Sequence, residues 1–128
     1  MTDRANDWLL QATKDLEHAK DSQKNQSNNW ACFAAQQAAE KAIKALHLHY
    51  SQEAWGHVIA RLLKELPIEI DDELIDKAKV LDNHYIPTRY ADSHPVGAPF
   101  EHYGKIQSSE AIKYASEIIE FVHNKMAE

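Results

Sequence analysis

Arg89 and His94 lie five positions apart in one short segment, TRYADSH at residues 88–94. Arginine carries a permanent, planar positive charge that fits phosphate oxygens. Histidine, with an unperturbed pKa of about 6.5, can take or give a proton at neutral pH. RNA cleavage without a metal needs a base for the 2′-hydroxyl, an acid for the leaving 5′-oxygen and positive charge at the phosphate. Because one chain offers a single such histidine, two copies in a symmetric dimer would complete the acid–base pair.

The same two residues also have a purely structural interpretation. Arg89 could pair with Asp92 and hold the segment closed, and His94 would then be an exposed loop residue. The spacing alone favours this structural interpretation over catalysis, and both remain open at the level of sequence.

The segment belongs to a stretch from about Ile86 to Lys105 that is predicted to be non-helical. It holds three of the four prolines and two of the three glycines. A loop of roughly 20 residues is uncommon in a compact domain unless it is functional or disordered, and its aromatic content argues against disorder. We therefore expect any chemistry to occur here. Its aromatic residues could stack on bases or pin the loop to the helices: Tyr85, Tyr90, Phe100 and Tyr103.

The segments that flank this loop are predicted to be helices, because apolar residues recur in them at spacings of three and four. The first follows a cap at Asp3 and ends in the polar turn at residues 22–29. The second runs from about Trp30 to His49 and is rich in alanine, and Glu40 and Lys44 on it are predicted to form an ion pair on the solvent face. The others are a short helix at Val58–Leu66, one from Asp71 or Asp72 towards Tyr85, and a last one capped by Ser108 or Ser109.

The predicted fold is therefore all-α. No segment alternates with period two, and we expect an up-and-down antiparallel bundle of four long helices and one short helix. The bundle should form a single domain over residues 1–128. The apolar stripes predict a core that contains Trp8, Leu16, Phe33, Ile43, Leu62, Leu81, Ile118 and Val122.

Composition and charge restrict the function. The formal net charge of −6 argues against a general nucleic-acid coat, although it leaves room for a small local site. A single cysteine, Cys32, cannot form an internal disulfide, and no apolar run is long enough for a membrane span. We expect a cytoplasmic protein with no membrane association. The eight histidines have no accompanying ligand pattern, and Gly-rich phosphate loops are lacking, so neither a metal nor a cofactor is expected.

Several motifs, in order along almost the whole chain, resemble those of the HEPN family (higher eukaryotes and prokaryotes nucleotide-binding). They are Trp8-Leu9 with KDLEHA at 14–19, AQQAAEKAIKAL at 35–46, Gly56-His57, TRYAD at 88–92 and the last helix through Val122. The second and fourth motifs are specific when they occur together. The chain is thus identified as similar to the small prokaryotic HEPN proteins.

The resemblance implies a helical bundle that often works as a homodimer. It also implies a minimal nucleotidyltransferase as partner, the two forming a toxin–antitoxin pair. Many members are metal-independent endoribonucleases with an Arg-x4–6-His motif, which Arg89 and His94 match with four residues between them. Tyr90 and Asp92 lie within this motif and are candidate binding residues. The residues alone favour a solvated face for Lys41 and Lys44, and the family name adds a nucleotide-phosphate role as the alternative.

Two functions follow from this comparison of motifs. The first is an endoribonuclease toxin that uses Arg89 and His94 on RNA. The second is a non-catalytic module that binds a nucleotide or docks a minimal nucleotidyltransferase. RNA cleavage in the presence of a chelator would discriminate between them.

Overall fold

A computed structural model describes residues 4–128, and these residues form helices without a strand among them. The five α-helices are α1 (Arg4–Lys24), α2 (Asn28–His49), α3 (Ile59–Lys64), α4 (Asp72–Asp82) and α5 (Lys105–Met126). Two 3-10 turns, at Ala91–Ser93 and Pro99–His102, lie between α4 and α5. The all-α bundle predicted from the sequence is confirmed. Asp3, the predicted cap of α1, lies outside the described residues.

The alanine-rich helix α2 is the centre of the bundle, with α1 and α5 packed along it. Its alanines at positions 35, 38, 39 and 42 are fully buried, and so is Ile43, which follows them. Small side chains let the neighbouring helices approach α2 closely, so this packing needs few bulky residues. Ile118 and Val122 of α5 complete this part of the core. No helix in residues 4–128 combines the length and apolar content needed to cross a membrane.

Six of the eight predicted core residues are buried, but Trp8 and Phe33 are only half-buried. Trp8 lines two shallow cavities on the outer side of α1 and α2. Phe33 lies at the surface of α2 where the α4–α5 connection covers it, and its ring is in contact with Arg89. Helical periodicity places both residues near the core, but it does not reveal which neighbours cover them.

Helix α5 begins at Lys105, three residues before Ser108 and four before Ser109, the two alternative caps predicted from the sequence. The side chain of Gln107 accepts a hydrogen bond from the Gly104 backbone amide (2.7 Å) and so closes the first turn. Ser108 is buried inside the helix, where its hydroxyl donates to Asn28 Oδ1 (2.8 Å). Ser108 therefore joins the first turn of α5 to the start of α2, and it is not a helix cap.

Candidate functional site

The Arg89 side chain is fixed by a nearby backbone carbonyl group and by aromatic rings. Its Nε and Nη2 atoms donate to the Tyr85 carbonyl oxygen at 3.0 and 2.6 Å. The guanidinium carbon lies 4.1 Å from the centre of the Phe33 ring and 5.0 Å from the centres of the Tyr85 and Tyr90 rings. Cation–π contacts of this kind hold a guanidinium without neutralising it.

No carboxylate lies within ion-pair distance of Arg89 in the described part of the chain, whereas Arg4 pairs with Asp7 and Arg61 with Glu65. Asp92 is exposed in the first 3-10 turn, and no ion pair of its carboxylate occurs among residues 4–128. The structural alternative of an Arg89–Asp92 pair is therefore not what holds this segment. The positive charge of Arg89 is available to an anion.

His94 is oriented by one hydrogen bond and one stacking contact. Its Nε2 atom lies 2.7 Å from the Pro87 carbonyl oxygen. Because a carbonyl can only accept, Nε2 carries the proton, and in the neutral ring Nδ1 keeps a free lone pair. The ring stacks on His102 at 4.1 Å with an interplanar angle of 5°. His94 is half-buried and can accept a proton at Nδ1.

Arg89 and His94 are anchored to the same turn. The carbonyl groups that fix them belong to Tyr85 and Pro87, two residues apart, so the Cα atoms of these anchors are at most about 7 Å from each other. The turn is itself tied to α2, because the buried Asn29 amide donates to the Thr88 carbonyl (3.0 Å). Both side chains of the motif are therefore held by carbonyl groups of the same turn.

A buried carboxylate on α2, that of Glu40, contacts this turn through the His57 ring. Glu40 accepts hydrogen bonds from Lys44 Nζ at 3.1 Å and Gln36 Nε2 at 3.2 Å, and it lies 3.1 Å from His57 Nδ1. The His57 ring stacks on Tyr85 at 4.7 Å, next to the carbonyl that holds Arg89. The predicted Glu40–Lys44 pair is present, but Glu40 is buried and not on the solvent face as expected.

Lys41 and Lys44 lie on α2, and each pairs with a carboxylate, Lys41 with Asp15 and Lys44 with Glu40. No direct contact joins either lysine to Arg89 or His94 within residues 4–128. Tyr90, in contrast, is 52% exposed beside the Arg89 guanidinium. The structure therefore brings Tyr90 to Arg89. Lys41 lies nearby, in a cavity that it lines together with Trp30 and Phe33, and Lys44 pairs with the carboxylate that contacts His57.

Two residues that build this site, Asn29 and His57, are not predicted from the sequence as site residues. Asn29 belongs to a stretch predicted to be a polar turn, although it lies in the first turn of α2. The residues around His57 show no catalytic or metal-ligand spacing. The position of Gly56-His57 within the family motifs was the one signal that could have drawn attention to His57. No sequence spacing relates Asn29 to Thr88, 59 residues away.

His84, one turn before the motif, is buried, and neither ring nitrogen has a hydrogen-bond partner in the described structure. Its burial lowers the pKa of the imidazole below 6.5. The hydroxyl of Thr88 donates to its carbonyl oxygen (2.8 Å), so this histidine belongs to the same anchored turn. Charging the ring in the folded state would place an unpaired cation in an apolar environment.

We therefore expect the free energy of unfolding to depend on pH through His84. The contribution of His84 to the free energy of unfolding is fully present above pH 6.5, the pKa of this histidine in the unfolded chain. It declines as the pH falls from 6.5 towards the lowered pKa of the folded state, because in that range only the unfolded chain binds the proton. The contribution of this one group is at most about 1.4 kcal/mol per pH unit. Urea unfolding of wild type and His84→Phe between pH 7.5 and 5.5 measures it. His84→Phe should flatten the pH dependence, whereas the exposed-site control His49→Gln should retain it; equal slopes in all three proteins would contradict the expectation.

Fold and site together define an all-helical protein with an arginine–histidine pair fixed on the turn that follows α4. The chain belongs to the HEPN family, since the family model described as the HEPN domain matches residues 5–125. This confirms the family that the sequence motifs predicted. A relative is the "Putative toxin MJ1304" of Methanocaldococcus jannaschii, 26% identical over 132 residues that cover 94% of this chain and 87% of the relative.

Crystal structures of similar proteins support the same assignment. The protein TT1696 from Thermus thermophilus is 49% identical and superposes with a TM-score of 0.95, covering 97% of this chain and 99% of that one. The archaeal HEPN homologue ST0689 is 36% identical with a TM-score of 0.85, covering 98% and 99%. The HEPN domain protein TM0613 from Thermotoga maritima is 37% identical with a TM-score of 0.77, covering 94% and 98%.

Proposed function

We propose that this chain is a metal-independent endoribonuclease and the toxin of a toxin–antitoxin pair, with Arg89 and His94 as its catalytic residues. The observation that carries the proposal is the state of Arg89. Its charge is held by a carbonyl and three aromatic rings, and no carboxylate among residues 4–128 pairs with it. His94 is anchored to the same turn, and its Nδ1 makes no hydrogen bond there. The name of the archaeal relative supports the toxin role.

In this mechanism one His94 takes the proton of an RNA 2′-hydroxyl at Nδ1. The freed 2′-oxygen attacks the adjacent phosphorus, and the bond to the 5′-oxygen breaks as a second imidazolium gives that oxygen a proton. Arg89 stabilises the negative charge that gathers on the phosphate oxygens during the transfer. The products are a 2′,3′-cyclic phosphate and a 5′-hydroxyl, and no water enters this step.

The second imidazole comes from a second copy of the chain, so the active form is a homodimer. Val96 and Ile106, on either side of the second 3-10 turn, are 77% and 87% exposed. Val96 lies in the α4–α5 connection and Ile106 in the first turn of α5, and large apolar side chains that are this exposed are suited to an interface between copies. A dimer through this surface would bring the two Arg89–His94 turns towards one cleft.

The double variant Val96→Asp/Ile106→Asp is expected to be monomeric and to lose RNA cleavage, because two buried carboxylates would oppose association of the copies. Multi-angle light scattering at tens of micromolar protein gives the mass, and a cleavage assay on the same sample gives the activity. Leu10→Asp, at an exposed site on α1, is the matched control and should remain dimeric and active. A monomeric wild type that cleaves RNA would contradict the composite site.

The antitoxin partner in this proposal is a minimal nucleotidyltransferase, the partner type that the HEPN resemblance implies. The alternative function is a non-catalytic module that binds a nucleotide or docks such a partner. The hydrogen bonds and stacking contacts of Arg89 and His94 favour this alternative, because the two side chains could have the purely structural role of holding the loop.

The deciding experiment is cleavage of single-stranded RNA oligonucleotides of varied sequence by the dimeric wild type in excess chelator, with the new ends identified by mass. A 2′,3′-cyclic phosphate supports the proposal. The absence of cleavage by folded, dimeric protein across these RNAs would leave the binding module as the function.

A further inference from the structure

A cavity of about 430 Å³ opens directly beside Arg89. The turn between α1 and α2 contributes Gln26 and Ser27 to its wall, the first turn of α2 contributes Trp30, and the second 3-10 turn contributes Phe100. The volume falls in the range of small-molecule sites, roughly 300 to 1,000 Å³. We refer to it as the Trp30–Phe100 cavity.

Two aromatic rings of this cavity are open to solvent. Trp30 is 50% exposed, and Phe100 is 68% exposed. The indole meets Phe33 edge to face at 5.9 Å, so this contact uses only part of its surface. No ring contact of Phe100 occurs within the described residues. Exposed aromatic surface at a concave site is suited to a flat partner that stacks.

Polar groups complete the wall. The Ser27 hydroxyl makes no capping hydrogen bond to α2, although Ser27 precedes the helix. No hydrogen bond of the Gln26 side-chain amide is present in residues 4–128. Both groups can therefore meet the edge of a partner that stacks. The Arg89 guanidinium and the positive end of the α2 dipole give the same cavity an anionic preference.

We propose that the Trp30–Phe100 cavity binds one unpaired nucleobase of single-stranded RNA, whose phosphate lies on Arg89. This inference rests on the proposed function and adds a base subsite to it. The flat face of a base would stack on the two exposed aromatic rings, and its polar edge would meet the side chains of Gln26 and Ser27. Its phosphate would meet the guanidinium of Arg89. The base must be unpaired, because only a splayed-out base presents its face to protein rings. Val96 and Ile106, the residues of the proposed dimer surface, do not themselves line the cavity.

Binding is tested in a His94→Ala background so that the RNA stays intact. The probe is a fluorescein-labelled adenylate hexamer, and the measurement is its anisotropy as protein is added. Trp30→Ala and Phe100→Ala should each weaken binding by about fivefold or more, as loss of a stacking partner does. Trp30→Phe should keep most of the affinity. Trp55→Ala, which removes an equally large ring from a different cavity, is the control and should bind like its parent.

A hexamer of abasic ribose phosphates separates the base from the backbone. It should bind the parent and the Trp30→Ala and Phe100→Ala variants alike. The inference is overturned if the adenylate hexamer binds these variants as tightly as the parent, or if it shows no saturable binding to the parent. It is also overturned if light scattering shows that Trp30→Ala and Phe100→Ala both change the oligomeric state, because the cavity would then be a contact between copies.

Failure of this inference and failure of the proposed function are distinguishable. Cleavage that depends on Arg89 and His94 but not on Trp30 or Phe100 would remove the base subsite and leave the nuclease. Base-dependent binding at Trp30 without any cleavage by wild type would remove the nuclease and leave the base subsite. Circular dichroism of each variant establishes that helix content is unchanged.

Discussion

Replacing His94 with alanine should reduce the rate of metal-independent RNA cleavage by roughly 10² to 10⁴. The variant loses the imidazole that accepts the 2′-hydroxyl proton and, in the partner copy, the imidazolium that protonates the leaving oxygen. The fold should survive, because His94 contributes one hydrogen bond to Pro87 and one stacking contact with His102 in a loop outside the α-helices. Single-turnover cleavage of an RNA oligonucleotide in chelator, with circular dichroism on the same preparation, measures both.

The matched control for this variant is His49→Ala, since His49 is an exposed histidine at the end of α2. It should cleave at the wild-type rate. Equal cleavage by wild type, His94→Ala and His49→Ala would show that the activity belongs to another site or to a contaminant. A His94→Ala protein that loses helix content or dimerisation would instead assign His94 a structural role.

The helices could be predicted because their information is local. Alanine propensity and apolar spacings of three and four predict α2 and the burial of Ile43 correctly. The same spacings on α5 predict the burial of Ile118 and Val122. The errors arose where a distant segment decides the outcome. Phe33 belongs to the apolar face of α2 but serves as the surface on which Arg89 rests. Glu40 has the spacing of a surface ion pair, and its burial follows from the side chains of Gln36 and His57 that cover it.

The candidate site shows the same division between local and non-local information. The types and the spacing of Arg89 and His94 identify a possible acid–base and charge pair from sequence alone. Their anchors could not be predicted, because backbone carbonyls of Tyr85 and Pro87 accept the hydrogen bonds and every residue type has a carbonyl. The proposed base subsite combines the α1–α2 turn with a 3-10 turn about 70 residues later, and no sequence pattern relates the two.

Arg89→Ala should lower the cleavage rate by roughly 10² to 10³, the usual cost of removing one preorganised group that stabilises transition-state charge. Arg89→Lys should recover little of this loss. Lysine keeps the charge, but its ammonium cannot make two hydrogen bonds to Tyr85 while a planar group lies on Phe33. The charge would then be free to move away from the phosphate.

The control for the Arg89 variants is Arg61→Ala, because Arg61 is exposed on α3 and already pairs with Glu65. It removes an arginine and should leave cleavage unchanged. Loss of the aromatic contacts of Arg89 should cost about 1 kcal/mol of unfolding free energy, too little to unfold the bundle at the assay temperature. Urea unfolding and cleavage rates measured together therefore separate the two roles. If Arg89→Lys cleaves as fast as wild type, the site needs only a positive charge, and the fixed guanidinium is not what stabilises the transferring phosphate.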